Sequence, residues 1–290
     1  MMTPFESINL SLTSSRAKIA FFSENKPGFQ VTLDLTAEPS ITIKGNEMKW
    51  TYSWLPRHFY QTKETKITCD YLIYEISENP MQDFMIWYNR VNGILGSINK
   101  ANISILNTTI TNWLRSQQES IEEVSIFESC HQDVQYFSKN IKVLLSLNIF
   151  MNYNDKQFRM EIPDELTHLT IRNASFIKFE QFMSMKHQEI IIYGCDLTNL
   201  DIYVFLKSWM ACESHLGLKT LKITFYGFST MDMDLPYQWT TDPNIIKQFT
   251  SNPFNINITK GFNIKRCDGK MATLGAERIN GKWHICFLVH

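Results

Sequence analysis

The stretch Leu166-Thr-His-Leu-Thr-Ile171 carries the pattern that decides the fold, with apolar residues at its first, fourth and sixth positions. The phrase recurs along the middle of the chain, and two looser copies begin with Lys100 and His187. The fourth position of successive copies falls at residues 103, 124, 147, 169, 190 and 221, which are 21, 23, 22, 21 and 31 residues apart. This period is typical of leucine-rich repeats, whose units stack because one unit cannot bury its apolar face alone.

We therefore predict an α/β fold with an irregular leucine-rich-repeat-like solenoid over residues 100–235, built from one parallel strand per phrase. Short helices are expected between strands, at 110–116 and 200–210. The last apolar residue of each phrase is expected to be buried in one stacked row: Ile105, Ile126, Ile149, Ile171, Ile192 and Ile223. Three residues later, an Asn or Cys side chain often satisfies backbone groups in the bend, and Asn152 and Cys195 occupy that position.

Antiparallel β segments are expected on both sides of the repeats. Alternation from Phe29 to Trp54 predicts a small sheet, residues 67–74 a further strand, and Asn79-Pro80 the start of a helix that ends at Gly96. Alternating residues in 255–289 predict a β meander that covers the solenoid's last edge, with type I′ turns at Asp268-Gly269 and Asn280-Gly281. The predicted regions are thus 1–25, 26–99, 100–235 and 236–290.

Composition excludes some classes of function. The 290 residues include 28 basic and 29 acidic ones, so no charge bias points to nucleic acid or to an anionic membrane. No apolar run reaches the roughly 18 residues that span a bilayer. The six cysteines are scattered without a C-x-x-C pair, which predicts reduced thiols and a cytoplasmic or nuclear protein.

Enzymatic motifs are missing from the sequence, so we predict no catalytic residue, no metal site and no cofactor. The nearest candidate is Cys212-Glu-Ser-His215, which could supply half a metal site or an activated thiolate. A zinc site needs four ligands at recognisable spacing, so a helix end with a buried Cys212 and a surface His215 is the favoured reading. An enzyme using this pair remains a third alternative for the function.

The beginning of the chain reads as two short helices, since Thr3, Pro4 and Glu6 can cap the first of them. The run Met2-Thr-Pro-Phe-Glu-Ser-Ile-Asn-Leu-Ser-Leu-Thr-Ser-Ser-Arg-Ala-Lys18 resembles the second half of an F-box as found in a large nematode family. In that family a type 2 F-box-associated domain follows. Residues 165–173, 199–209 and 264–269 are similar to that domain, so the resemblance extends over almost the whole chain.

This resemblance implies a substrate-recognition subunit of a Skp–cullin–F-box ubiquitin ligase, which binds a target protein and a Skp-type adaptor. The apolar stripe Phe5, Ile8 and Leu12 is then the expected adaptor-binding surface of a partial F-box in 1–25. The family's opening leucine-proline helix is not in the sequence, so adaptor binding is expected to be weak or lost. The chain is either a genuine short form or has a misassigned start, and a stand-alone or decoy binding module is the alternative function.

The expected target-binding surface lies at the concave side of the repeats. The outermost side chains there are Leu106, Phe127, Phe150, Arg172, Tyr193 and Thr224, of which the first five are the predicted contacts. Aromatic residues and arginine are enriched at binding hot spots. The alternative is that the N-terminal sheet or the C-terminal meander covers this row, which would make it core.

Overall fold

The computed structural model describes residues 8, 29–45, 48–57, 71–127, 130–151, 158–225, 236–251 and 253–290. The chain divides into two compact units, residues 1–144 and 145–290, and the boundary falls within one strand. Of the predicted adaptor-binding residues, Ile8 is fully buried, while Phe5 and Leu12 lie outside the described residues. The predicted F-box helices and Asn152 also lie outside them, and the four predicted regions stay a prediction.

In its described residues beyond Ile8, the first unit contains a mixed sheet and three helices. Its strands are β1 (Gln30–Leu35), β2 (Ser40–Gly45), β3 (Met48–Pro56), β4 (Tyr71–Ser77), β5 (Ile98–Ile103) and β6 (Ser120–Phe127). The helices are α1 (Pro80–Leu95), α2 (Thr108–Gln117) and α3 (His131–Asn140). The strand order is β6-β5-β1-β2-β3-β4.

The predicted N-terminal sheet and its helix are present. Strands β1, β2 and β3 pair antiparallel, as the alternation indicated, whereas β4 pairs parallel to β3. Helix α1 begins at Pro80 and ends before Gly96, which has a φ of 80°. Its Phe84 ring packs edge-on against Trp54, 5.3 Å between ring centroids, so the helix covers the sheet through its apolar stripe.

The first repeat is formed two residues earlier than predicted. In β5, Ala101 lies beside Val124 and Ile103 beside Ile126, so the true phrase begins at Ile98. Ile105 is 38 % exposed beyond the end of the strand, and its place in the stacked row was wrong. The apolar spacing fits a phrase that begins at either Ile98 or Lys100. At Ile105 the chain has already left the strand, and the Ile105 backbone N–H donates to the Leu35 carbonyl (3.2 Å).

The second unit continues from within β7 (Lys142–Phe150). Its further strands are β8 (His168–Arg172), β9 (Glu189–Cys195), β10 (Thr220–Phe225), β11 (Gln238–Thr240), β12 (Gly261–Lys265), β13 (Met271–Ile279) and β14 (Lys282–Val289). Its helices are α4 (Phe179–Ser184), α5 (Asn199–Met210) and α6 (Pro243–Thr250). The strand order is β7-β8-β9-β10-β14-β13-β12-β11.

The stacked row of isoleucines is confirmed in this unit. Strands β7 to β10 are parallel, with Ile149, Ile171, Ile192 and Ile223 side by side and each fully buried. Helix α5 begins at a capping box. The Thr198 hydroxyl accepts a hydrogen bond from the Asp201 backbone N–H, and the Asp201 carboxylate accepts one from the Thr198 backbone N–H. Short helices thus join successive parallel strands, as predicted.

The C-terminal meander is present from β12 to β14, and β14 pairs antiparallel with β10 so that the edge of β10 is covered. The strand predicted at residues 255–258 was wrong, since these residues form no strand. The Asn280-Gly281 turn has positive φ at both residues (50° and 77°), as a type I′ turn requires. At Asp268-Gly269 only the glycine has a positive φ (95°), so the type I′ turn predicted there was wrong. The Asp268 carboxylate is engaged there by Arg266, whose Nη2 lies 2.7 Å away.

Residues 264–269 are docked against α5. The Arg266 guanidinium lies 5.1 Å from the Trp209 ring and donates to the Leu216 carbonyl (3.1 Å). Cys267, which follows Arg266, forms a disulfide with Cys212, so the prediction that all thiols are reduced was wrong. Separation by 55 residues in sequence conceals this pairing, since only the docking of the β12–β13 turn onto the end of α5 brings the two cysteines together.

Candidate functional site

The sheet of the second unit has two faces of different character. One carries the stacked isoleucines and is core. On the opposite face, which we call the outer face, one row of directly paired residues crosses β7, β8, β9, β10, β14 and β13 in turn: Phe150, Arg172, Tyr193, Thr224, His284 and Glu277. Because side chains alternate along a strand, this row is set by the same periodicity that buries the isoleucines.

Three predicted contacts come together at one end of this row, and we call Phe150, Arg172 and Tyr193 the arginine–aromatic cluster. The Arg172 guanidinium carbon lies 4.8 Å from the centre of the Phe150 ring and 5.3 Å from that of Tyr193. Arg172 is exposed and the two rings are half-buried. Such cation–π contacts hold the guanidinium in place at low entropic cost, with its N–H groups still available.

The backbone at the strand ends positions this cluster. Asn173 follows Arg172 with a φ of 58°, a conformation that asparagine tolerates, and its side chain donates to the Met151 carbonyl. Gly194, with a φ of 69°, is an extra residue after Tyr193, where the β9–β10 register shifts. The Cys195 thiol donates to the Thr224 carbonyl (3.8 Å), which confirms the role expected of cysteine in the bend.

A second row lies beneath the first on the outer face, and Lys222 is its most unusual member. The side chains of this row are Asn148, Thr170, Ile191, Lys222 and Cys286. Lys222 is buried, donates to the Phe254 carbonyl and places its Nζ 5.4 Å from the Tyr193 ring centre. Burial lowers the pKa of this amine from 10.5, so the protein carries a costly cation next to the cluster.

Part of the outer face is covered by the segment that precedes β12. Phe249 of α6 and three following residues, Phe254, Ile256 and Ile258, form a buried apolar cluster with Cys286 and Leu288 of β14. Gly275 of β13 leaves room for it, since an added Cβ would lie 2.6 Å from Ile258 Cδ1. The outer face is therefore covered over β10, β14 and β13, and half-exposed over β7, β8 and β9.

The other predicted contacts are placed differently. Leu106 and Phe127 belong to the first unit, where Leu106 is buried and Phe127 is the half-buried last residue of β6. Thr224 is buried, with its Oγ1 3.3 Å from His284 Nδ1. Leu106 and Thr224, the latter not one of the five predicted contacts, are therefore buried, and the target-binding assignment stays a prediction. The buried Lys222 was missed, since a lysine in a repeat phrase carries no sequence signal for burial.

The candidate chemistry at Cys212 and His215 does not assemble. The Cys212 sulfur is bonded to that of Cys267, which leaves no thiolate. His215 is buried, with ring centres of Phe182 and Phe205 at 5.1 and 5.0 Å, and burial lowers its pKa to about 4. The expected surface histidine and buried free cysteine were thus wrong, because the helix end folds back under the aromatic core.

The two buried free thiols are not activated either. Burial raises the pKa of Cys195 to about 11 and that of Cys286 to about 12, so both are protonated at neutral pH. Within the described ranges, no group of three or more His, Cys, Asp or Glu side chains could hold a metal ion. No helix in that part of the chain is both long and apolar enough to cross a membrane.

Comparison with known families matches residues 157–223 to a family described as F-box associated. The match contains β8, α4, β9, α5 and the first four residues of β10, and therefore Arg172 and Tyr193 of the arginine–aromatic cluster. It confirms the F-box-associated part of the predicted resemblance for these residues and is consistent with a binding rather than an enzymatic role. Comparisons with curated proteins and with solved structures found no match.

Proposed function

We propose that this chain is a substrate-recognition subunit of a Skp–cullin–F-box ubiquitin ligase. The observation that carries the proposal is that the F-box-associated match contains an exposed arginine held between two aromatic rings. Such a subunit needs no active site. It holds a target close to the ubiquitin-carrying enzyme, so that its contribution is a raised effective concentration.

Target binding is assigned to the arginine–aromatic cluster on the half-exposed part of the outer face. Arginine and tyrosine are the residue types that most often dominate binding energy at interfaces. The repeat phrases, in register over β7 to β10, support a leucine-rich-repeat-like scaffold that presents this surface rigidly. The cytoplasm or nucleus is the proposed location, since cullin ligases act there.

The test is to measure adaptor binding and target capture separately. Purified Skp-type adaptor is titrated into the full chain by calorimetry. Proteins that co-purify with the parent chain are compared with those retained by a Phe150→Ala/Tyr193→Ala double variant, and their ubiquitylation by the reconstituted ligase is measured. Since this chain is expected to bind the adaptor weakly or not at all, we expect the variant to bind it no less than the parent does. The variant should lose capture of the target, and with it any ubiquitylation that the parent supports.

The same experiment separates the alternative functions. Capture of a target by a chain that does not bind the adaptor would favour a stand-alone binding or decoy module. Equal capture by the parent and the double variant would contradict the assignment of the surface.

A further inference from the structure

The acidic and basic side chains on the outer face differ in whether they have a partner within the protein. Glu189 is paired with His168, whose Nδ1 lies 2.7 Å from Glu189 Oε2. Glu277 accepts from the Asn257 backbone N–H at 2.8 Å. The carboxylates of Glu189 in β9 and Glu277 in β13 therefore already have hydrogen-bond partners within the protein.

Arg172 has no such partner. No carboxylate of a described residue forms an ion pair with its guanidinium, and its contacts are the two aromatic faces of Phe150 and Tyr193. The nearby cation, Lys222, is no substitute, because its buried amine is directed to the Phe254 carbonyl. Among the described residues, the half-exposed part of the outer face thus presents Arg172 as an accessible positive charge with no carboxylate paired to it.

We infer that Arg172 anchors a carboxylate side chain of an acidic segment in the bound target protein. The guanidinium offers a planar fork of N–H donors that matches a carboxylate through two parallel hydrogen bonds. The half-buried rings of Phe150 and Tyr193 flank the fork, and the half-buried Ile191 lies in the neighbouring row of the same face. An acidic residue beside an apolar one is therefore the pattern that this surface complements.

A carboxylate fits the site better than a phosphate does. A phosphate monoester carries a charge of about −1.5 to −2 at neutral pH and is usually bound by several cations. In the part of this surface that the structure describes, Arg172 is the accessible cation, and a single guanidinium neutralises a single carboxylate. The aromatic faces on both sides leave the edge of the guanidinium for this one ligand.

This inference rests on the proposed target-binding surface, and a peptide array tests both. Each peptide, taken from the targets captured by the parent chain, is printed with Asp and Glu, with Asn and Gln in their place, and with phosphoserine in their place. The full chain is the probe. Arg172→Met removes the charge and keeps the stem that stacks on the rings, and the matched control is Arg278→Met, an exposed arginine on the opposite sheet face.

We expect the acidic forms to bind roughly tenfold or more tightly than the amide forms, a preference that Arg172→Met abolishes and Arg278→Met retains. Equal binding of acidic and amide forms, with binding still lost in the Phe150→Ala/Tyr193→Ala variant, would overturn the carboxylate assignment and leave the surface in place. Preference for phosphoserine would overturn it as well. Binding that no variant changes, or no binding at all, would overturn the surface and the inference together.

Discussion

The two halves of the outer face in the second unit belong to one sheet and share the same alternation of side chains, yet they differ in exposure. Over β10, β14 and β13 the face is covered by Phe249, Phe254, Ile256 and Ile258, although His284 and Glu277 remain half-buried. Over β7, β8 and β9 it is half-exposed and carries Arg172. Alternation along a strand therefore decides which side chains share a face. Whether that face is core or binding surface depends on whether another segment, here α6 and the residues before β12, packs on it.

The largest effect is expected from removing the cover. Phe254 is 2 % exposed and packs on Phe249 with ring centroids 5.1 Å apart. Phe254→Ala should lower the free energy of unfolding by about 3–5 kcal/mol in urea denaturation, since it leaves a cavity over β14. A loss below about 1 kcal/mol would show that the two halves do not differ as described.

A comparable loss is expected on the face that both halves share. Leu169→Ala should lower the free energy of unfolding by roughly 2–5 kcal/mol, because this side chain is 1 % exposed in the stacked core. Urea denaturation measures the loss, and target capture per folded molecule should stay unchanged. An unchanged midpoint would contradict the stacking of the repeats.

Overfilling the covered half is expected to have an intermediate effect. A Cβ at Gly275 would lie 2.6 Å from Ile258 Cδ1 and 3.0 Å from Phe249, so Gly275→Ala must displace the cover. We expect a loss of about 1–3 kcal/mol in thermal or urea unfolding. Gly281→Ala, where nothing lies within 4 Å, is the control for backbone effects at a turn glycine with a φ of 77°.

Substitutions in the half-exposed part of the outer face are expected to weaken target binding and to leave stability nearly unchanged. Phe150→Ala and Tyr193→Ala, made singly, should weaken target capture while changing the free energy of unfolding by less than about 1 kcal/mol, as expected for interface side chains outside the core. Capture assays and thermal unfolding are measured on the same samples. If both variants lose several kcal/mol, the cluster is core and the binding proposal is withdrawn.

The smallest effect is expected at the border between the halves, where Lys222 lies. Its folded-state pKa is lowered from 10.5 by burial, so the unfolded chain binds more protons than the folded one as pH approaches 10.5 from below. The free energy of unfolding of the parent should therefore rise with pH relative to that of Lys222→Met. Parallel pH profiles would show that the amine is fully hydrated in the folded protein.

Local patterns predicted much of this fold correctly. The row through Ile149, Ile171, Ile192 and Ile223 follows from spacing alone, because a strand places alternate residues on one face. The Asn280-Gly281 turn follows from the residues that accept positive φ. Ile105 was wrong because two overlapping phrases satisfy one pattern, and only pairing with β6 selects between them.

The predicted strand at residues 255–258 shows where pattern fails. Its burial alternates as in a strand, with Phe254, Ile256 and Ile258 buried, but Asn255 has a φ of 50° and the backbone pairs with no described strand. Its side chains instead lie on the outer face of β14. The sequence shows that these residues are apolar in alternation, and not what they pack against.

The candidate site divides in the same way. That Phe150, Arg172, Tyr193 and Thr224 share one face follows from the repeat pattern, since each holds the same place in its repeat. That Thr224 is buried and Arg172 is accessible follows from long-range packing, which the repeat pattern does not contain. The physical reason is that β14 inserts beside β10 and brings Phe254 over the sheet, a contact between residues far apart in the chain, which no local periodicity encodes.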